Sequence, residues 1–204
     1  ADILSAMRGA GQFPMDFIDY PDTMKRAVEL CADVWIEIAK SQHAMIPYSD
    51  EGYMDGDRGF RLWAPDKIVW LQEDAMALLS PTLYREFILP ADRRIAKEFP
   101  AVAFHLHDTG MWAIDDLVAE SGFDVIELNM EAAATDIEGT FASWKKIHAR
   151  KPLIIWRIYD DGFWQWLDRV LKEFSPGGLS IQVTVRNLDE AKIVRDGFME
   201  RAGK

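Results

Sequence analysis

One cysteine, Cys31, is all that the 204-residue chain contains. An intramolecular disulfide is therefore excluded, and nothing calls for an oxidising compartment. Positive charge is also scarce: 23 Lys and Arg stand against 34 Asp and Glu, a net charge of −11. A surface of that sign repels phosphate, so neither nucleic acid nor an anionic membrane is an expected partner. No run approaches the roughly 20 apolar residues of a membrane span, and the first residues lack a charged-then-apolar leader pattern. A cytoplasmic location is the default expectation. No G-x-G-x-x-G turn follows a strand-like run, which leaves a dinucleotide-binding sheet without its main sequence support. Internal repeats and low-complexity tracts are missing as well.

What is present is enough for a packed core: 49% of the residues are hydrophobic and 28% charged, the balance of a globular chain. Short β-rich runs fall at Ile68–Gln72, Val102–His107, Val125–Met130, Leu153–Ile158 and Leu179–Val185. Helical spacing separates them. Ser80 and Pro81 read as a cap and first helical residue, and Pro90 should kink or split the helix that they open. Gly122 is expected to close a helix from about Met111 to Ser121 in a left-handed cap. Asn187 and Glu190 form a capping box for the last helix. Ahead of the strands, Pro21 to about Ser41 carries Met24, Val28, Cys31, Val34, Trp35 and Ile38 at helical spacing, which makes Cys31 a buried, inert thiol. Tyr48 to Ala64 reads as a Gly- and Asp-rich loop. His43 and His148 are expected at the surface. The repeating strand–helix rhythm predicts a parallel α/β sheet. Five βα units do not close an eight-stranded barrel, so the choice lies between a barrel missing strands and an open five-stranded sheet.

One segment carries a family resemblance. Asp74, then Leu79-Ser80-Pro81, Tyr84, Glu86-Phe87 and Leu89-Pro90, resembles the strand-end acid and L-S-P-x-x-Y-x-E-F-x-L-P block of the uroporphyrinogen decarboxylase superfamily. The spacing onward to His105-Leu106-His107 and Gly122 to Glu127 is also similar, as is Asp19-Tyr20-Pro21 entering a long helix. The resemblance covers nearly the whole chain and implies that residues 1–204 are the C-terminal part of one TIM-type (β/α)8 barrel domain. The strands here would be the fourth to eighth, and the first three, with the arginine motif of true decarboxylases, would be missing.

Barrel active sites lie at the C-terminal ends of the strands. Those tips are polar here: Glu73 and Asp74; His105, His107 and Asp108; Glu127 and Asn129; Arg157 and Asp160; Gln182, Thr184 and Arg186. Alternation places His105 and His107 on one face of their strand, with Phe104 and Leu106 on the other. Two imidazoles with a carboxylate from Glu73, Asp74 or Glu127 suit a divalent metal such as zinc; a metal-free polar site and a structural pair are the alternatives. Asp74 is a candidate acid–base or orienting group, or a carboxylate ordering the helix at Ser80. Arg157 and Arg186 are candidates to hold a substrate carboxylate, the alternative being ion pairs with neighbours such as Asp160 or Glu127. Gln182 and Trp156 are further candidate substrate contacts. Trp156, Phe163, Trp164 and Trp166 line a pocket or, for at least two of them, fill the core.

The methyltransferases of the superfamily carry His-x-Cys at this strand and a further Cys near the last one, together binding zinc. His105 matches that histidine, His107 stands in place of the cysteine, and Gln182 and Thr184 offer no sulfur. The resemblance thus implies an enzyme moving a methyl group between a small substrate and cobalamin or a thiol, with zinc and a corrinoid protein as expected partners. A tetrapyrrole-carboxylate decarboxylase, which needs no cofactor, is the alternative. A third reading is a non-catalytic truncated barrel serving binding or assembly, whose unprotected sheet edges would favour a homo-oligomer.

Overall fold

The computed structural model describes residues 1–49, 51–55, 62–129 and 136–203. Three helices come first: α1 (Asp2–Arg8), α2 (Gln12–Asp19) and α3 (Pro21–Met45). Pro21 suits the first turn of α3, where its fixed φ costs nothing and its missing donor is not needed. The inward stripe of α3 is Met24, Val28, Ala32, Ile36, Ala39 and His43. Because the helix runs a turn beyond Ser41, His43 joins that stripe instead of standing at the surface. Its Nε2 lies 3.2 Å from the Ile68 carbonyl oxygen, and its ring meets Phe99 edge-on at 5.3 Å. Cys31 is half-buried, and burial pushes its thiol above the ordinary range, which keeps it protonated and unreactive. His148 is half-buried too, with Nε2 3.0 Å from Ser175 Oγ.

The expected loop from Tyr48 to Ala64 contains two short antiparallel strands, β1 (Tyr53–Asp55) and β2 (Leu62–Ala64), in register Tyr53↔Ala64. The remaining strands form one parallel sheet in sequential order: β3 (Ile68–Gln72), β4 (Ala101–Leu106), β5 (Val125–Leu128), β6 (Leu153–Ile158) and β7 (Leu179–Thr184). Each agrees with an expected strand to within a residue or two; Met130 lies outside the described residues. Between and after them come α4 (Pro81–Leu83), α5 (Leu89–Ala96), α6 (Ile114–Ala119), α7 (Ile137–His148), α8 (Phe163–Glu173) and α9 (Leu188–Ala202).

The caps follow the chemistry of their residues. Ser80 Oγ accepts the Leu83 amide at 3.2 Å, and Asn187 Oδ1 accepts the amides of Asp189 and Glu190. The helix opened at Pro81 is split ahead of Pro90, as expected. A wide π turn, Tyr84–Ile88, joins α4 to α5, and the wider turn makes room for a ring that lacks the donor for Glu86 and would press on its carbonyl. Gly122 is not a left-handed cap: α6 stops at Ala119, and among the described residues the positive-φ glycines are Gly9 and Gly178. A turn of 3-10 helix over Asp108–Ala113 takes the first three residues of the expected helix, and α6 takes most of the rest. What Gly122 provides is clearance, since a Cβ there would lie 3.1 Å from that of Ala96.

The two faces of the sheet differ. Val69, Leu71, Val102, Phe104, Leu106, Ile126, Leu128, Leu153 and Ile155 join the main core with side chains of the helices. On the other face Ile68 and Ala103 pack with Ala64 of β2, and Leu62, Trp70, Ala101 and Val125 adjoin them. Among the described residues, helical side chains enter only the first of these clusters. No described helix is long and apolar enough to cross a membrane.

Ion pairs tie the outer helices together and set an acid sensitivity. Arg169 bonds Glu138 of α7 at 2.7 and 2.8 Å and Glu173 of α8 at 2.7 Å; its hydrogen bonds hold the Glu138 carboxyl below the ordinary range, and the hydrogen bonds of Lys145 and then Arg169 do so for Glu173. Arg93 does the same for Glu120 and Arg186 for Glu190. A carboxyl with a depressed folded pKa contributes stability above its unfolded pKa of about 4.3 and loses it as pH falls through the folded value. Asp92, raised by burial beside Glu73, has the opposite sign: its contribution is present at low pH and lost as pH rises. Urea melts should therefore show the gap between the native chain and Arg169→Gln narrowing from pH 6 to pH 3. An unchanged gap would mean that the Arg169 pairs contribute nothing, the residual effect being its stacking 3.7 Å over Phe141.

Candidate functional site

The pairing register brings the polar tips together. Gln72 lies opposite His105 and His105 opposite Glu127, so all three occupy the face that the helices leave uncovered. His105 Nδ1 faces Glu127 Oε2 in a close hydrogen bond. His105 is buried and Glu127 entirely so, which makes this a charge-assisted contact shielded from water. A carboxylate only accepts, so the ring donates its Nδ1 proton and its Nε2 lone pair is directed the other way.

That Nε2 lies 3.0 Å from His107 Nε2, with the two rings perpendicular and their centroids 4.6 Å apart. Asp74 closes the group: its Oδ1 is 3.4 Å from His107 Nε2 and 3.9 Å from His105 Nε2. The Gln72 amide donates to Asp74 Oδ2 at 2.5 Å and leaves Oδ1 toward the imidazoles. The three ligand atoms lie within 4.8 Å of one another.

Local structure fixes these positions. His105 and His107 share a face because the pleat alternates, and His107 caps the 3-10 turn Asp108–Ala113, its carbonyl accepting the Gly110 amide at 2.9 Å. Gly110 has to be small. A Cβ there would lie 2.5 Å from Leu106 Cδ1 and 3.3 Å from Met76 Sδ, which would push the turn off the strand end. Asp74 begins the 3-10 turn Asp74–Leu78 that follows β3.

A donor set of two imidazole nitrogens and one carboxylate oxygen suits a divalent metal with open positions. Bonds of about 2.05 Å in tetrahedral geometry place ligand atoms about 3.3 Å apart, and the separations of 3.0, 3.4 and 3.9 Å bracket that value. The residues therefore fit a metal with only small side-chain adjustments. Glu127 stands behind His105 as the carboxylate partner that typically orients a ligating histidine.

The other candidates divide by face. Glu73 turns to the helix side, where its neighbours are the Ala1 nitrogen and Asp92, and it is not among the converging ligands. It borders a cavity of about 430 Å³ at the β3 edge of the sheet, lined also by Cys31, Trp35 and Trp70. Arg157 follows Leu153 and Ile155 to the helix face, pairs with Asp160 at 3.0 Å and lies 5.0 Å over the Trp166 ring. Arg186 is tied to Glu190 at 2.7 Å and is largely exposed. Phe163 and Trp166 are core residues, whereas Trp164 is half-buried and would contact a Cβ at Gly197 of α9. Trp156 and Gln182 lie opposite each other on the face of the histidines. The orienting roles of Gln72 and Glu127 follow from the register of three strands, and only the parity of each strand signals them in the sequence.

Comparison with protein-family models, curated proteins and solved structures finds no significant match. Fold and site together define an α/β protein with a sequentially ordered parallel sheet and a strand-end cluster of two histidines and one aspartate.

Proposed function

We propose that this chain is part of a TIM-type barrel enzyme of the uroporphyrinogen decarboxylase superfamily, methyltransferase-like, with zinc held by His105, His107 and Asp74. The observation that carries the reading is the convergence of those three side chains with Glu127 behind one of them. Two features of the fold favour a barrel. The strands follow one another in chain order, and helical side chains pack on one sheet face only, whereas a doubly wound sheet carries helices on both faces. Bound zinc supplies Lewis acidity to a thiol or an oxygen. The chain's own contribution is orientation: Glu127 keeps the His105 proton on Nδ1, and Gln72 turns Asp74 toward the cluster. A corrinoid protein or a free thiol is the methyl partner in this reading. Decarboxylation of a tetrapyrrole carboxylate is less favoured, because Arg157 and Arg186 are held by acidic neighbours. Self-association also belongs to the proposal, supported by Leu30, Val34 and Ile38 exposed in a row on α3.

The test starts from protein stripped with a chelator. Dialysis against zinc should restore about one equivalent by elemental analysis, and His107→Ala should restore far less. Uptake below a tenth of an equivalent sinks the metal assignment. Full zinc uptake with no methyl-cobalamin demethylation, thiol present, would retain the metal and defeat methyl transfer.

A further inference from the structure

Other buried acids of this chain meet a basic side chain: Asp16 pairs with Arg8, Glu190 with Arg186, and Glu127 faces the His105 ring. Asp92 of α5 does not. Only 1% of it is exposed, and among the described residues no Lys, Arg or His pairs with it. Its Oδ2 accepts the Tyr84 hydroxyl at 3.3 Å, and its other neighbour is a second carboxyl, that of Glu73. The Glu73 side chain is 11% exposed and accepts a hydrogen bond from the Ala1 nitrogen, with Asp2 a third carboxylate nearby. One nitrogen thus faces three carboxylates, and with that nitrogen in an amide bond the excess would only grow. Buried negative charge without a matching cation is costly. A proton held between two carboxyls relieves it in part, and a ligand cation relieves it fully.

The pair borders the cavity at the β3 edge. Its volume of about 430 Å³ falls in the range of small-molecule sites, roughly 300–1,000 Å³. Val28, Ala32 and Trp35 of α3 and Ile95 of α5 supply apolar wall, and Trp35 is braced edge-on against Phe99 with 5.6 Å between ring centroids. Among the described residues no Lys, Arg or His lines the cavity, whereas Asp2, Glu73 and Asp92 do. Apolar walls take up the body of a ligand, and acids without basic side chains select the charge of its head.

We propose that this cavity binds a small organic ammonium, its apolar body against Val28, Trp35 and Ile95 and its charged head on Asp92 and Glu73. An ammonium brings three donors and no acceptor, which matches carboxylates that only accept, and bonds of this kind are charge-assisted. A carboxylate ligand is repelled by all three acids. The site is distinct from the His105–His107–Asp74 cluster, and zinc has no part in it.

The probes are 2-phenylethylamine, 2-phenylethanol and 3-phenylpropanoate, similar in shape and respectively cationic, neutral and anionic. Ligand-observed NMR titrations on the full chain, at neutral pH and in high salt to screen surface charge, should show saturable binding of the amine. The alcohol should bind at least about ten-fold more weakly and the carboxylate not at all. Asp92→Asn, nearly isosteric, should weaken the amine about ten-fold and leave the alcohol unchanged. Cys31→Phe places a ring in the cavity and should abolish amine binding while the urea melt stays cooperative. Equal affinity for amine and alcohol in the native chain overturns the proposal. So does amine binding that survives Cys31→Phe or vanishes in high salt, since either result places the amine on the acidic surface.

Discussion

His105→Ala is expected to abolish zinc uptake and to lower stability by about 3–5 kcal/mol at neutral pH, read as a fall in the urea midpoint. Glu127 is fully buried and His105 nearly so. Removing the imidazole takes away the donor facing a carboxylate that has little access to water, and that desolvation cost outweighs any volume lost. Two companion variants separate structure from function. Replacing the pair together, His105→Leu with Glu127→Leu, should recover most of the lost stability, because an apolar pair of similar volume avoids the uncompensated charge. Zinc uptake should remain absent in that double variant. Glu127→Gln keeps the shape and a hydrogen-bonding partner while losing the charge, and should weaken zinc by about 10–100-fold with the fold intact. Equal zinc affinity in Glu127→Gln and the native chain would show that Glu127 does not orient the ligand. Full stability in His105→Ala would show that the buried contact contributes nothing.

Trp144→Ala should cost a similar amount, about 3–5 kcal/mol, for a different reason. Trp144 is completely buried between α7 and the sheet, with the Phe141 ring 5.0 Å and the Trp166 ring 6.2 Å away. Truncation leaves a large void that a close-packed core does not refill. It also removes the donor to the Leu128 carbonyl, 3.1 Å away. Trp144→Phe keeps most of the packing and drops that bond, so it should cost less, about 1–3 kcal/mol. A Trp144→Ala chain as stable as the native one would mean that α7 is not anchored through this residue.

The sheet was largely readable in the sequence, since β-branched runs such as Leu153 to Ile158 and the Ser80 and Asn187 caps are signals confined to a few neighbouring residues. The same runs hide which way each side chain points. Both faces of a parallel sheet are apolar, so Arg157 gave no sign in isolation that it follows Ile155 to the helices while Trp156 follows Ile154 to the site. Two histidines separated by one residue announced a shared face. Which carboxylate completes the group depended on strand register, a property of distant chain segments, and the register turned Glu73 away and placed Glu127 behind His105. β1 and β2 were missed because three polar-flanked residues carry too little alternation to register as a strand. His43 was misjudged for want of one more helical turn.

The odd–even alternation of β4 has a consequence for how this protein tolerates change. His105 meets Glu127 while Phe104, its immediate neighbour, is sealed in the core against Phe123 at 5.1 Å. Deleting a single residue between Ala101 and Phe104 would exchange the two environments, driving an imidazole into the core and a phenyl ring into the cluster. Loops around the site can lengthen or shorten without that penalty, so variation among descendants of this chain should accumulate by insertion outside β4 and by substitution alone within it.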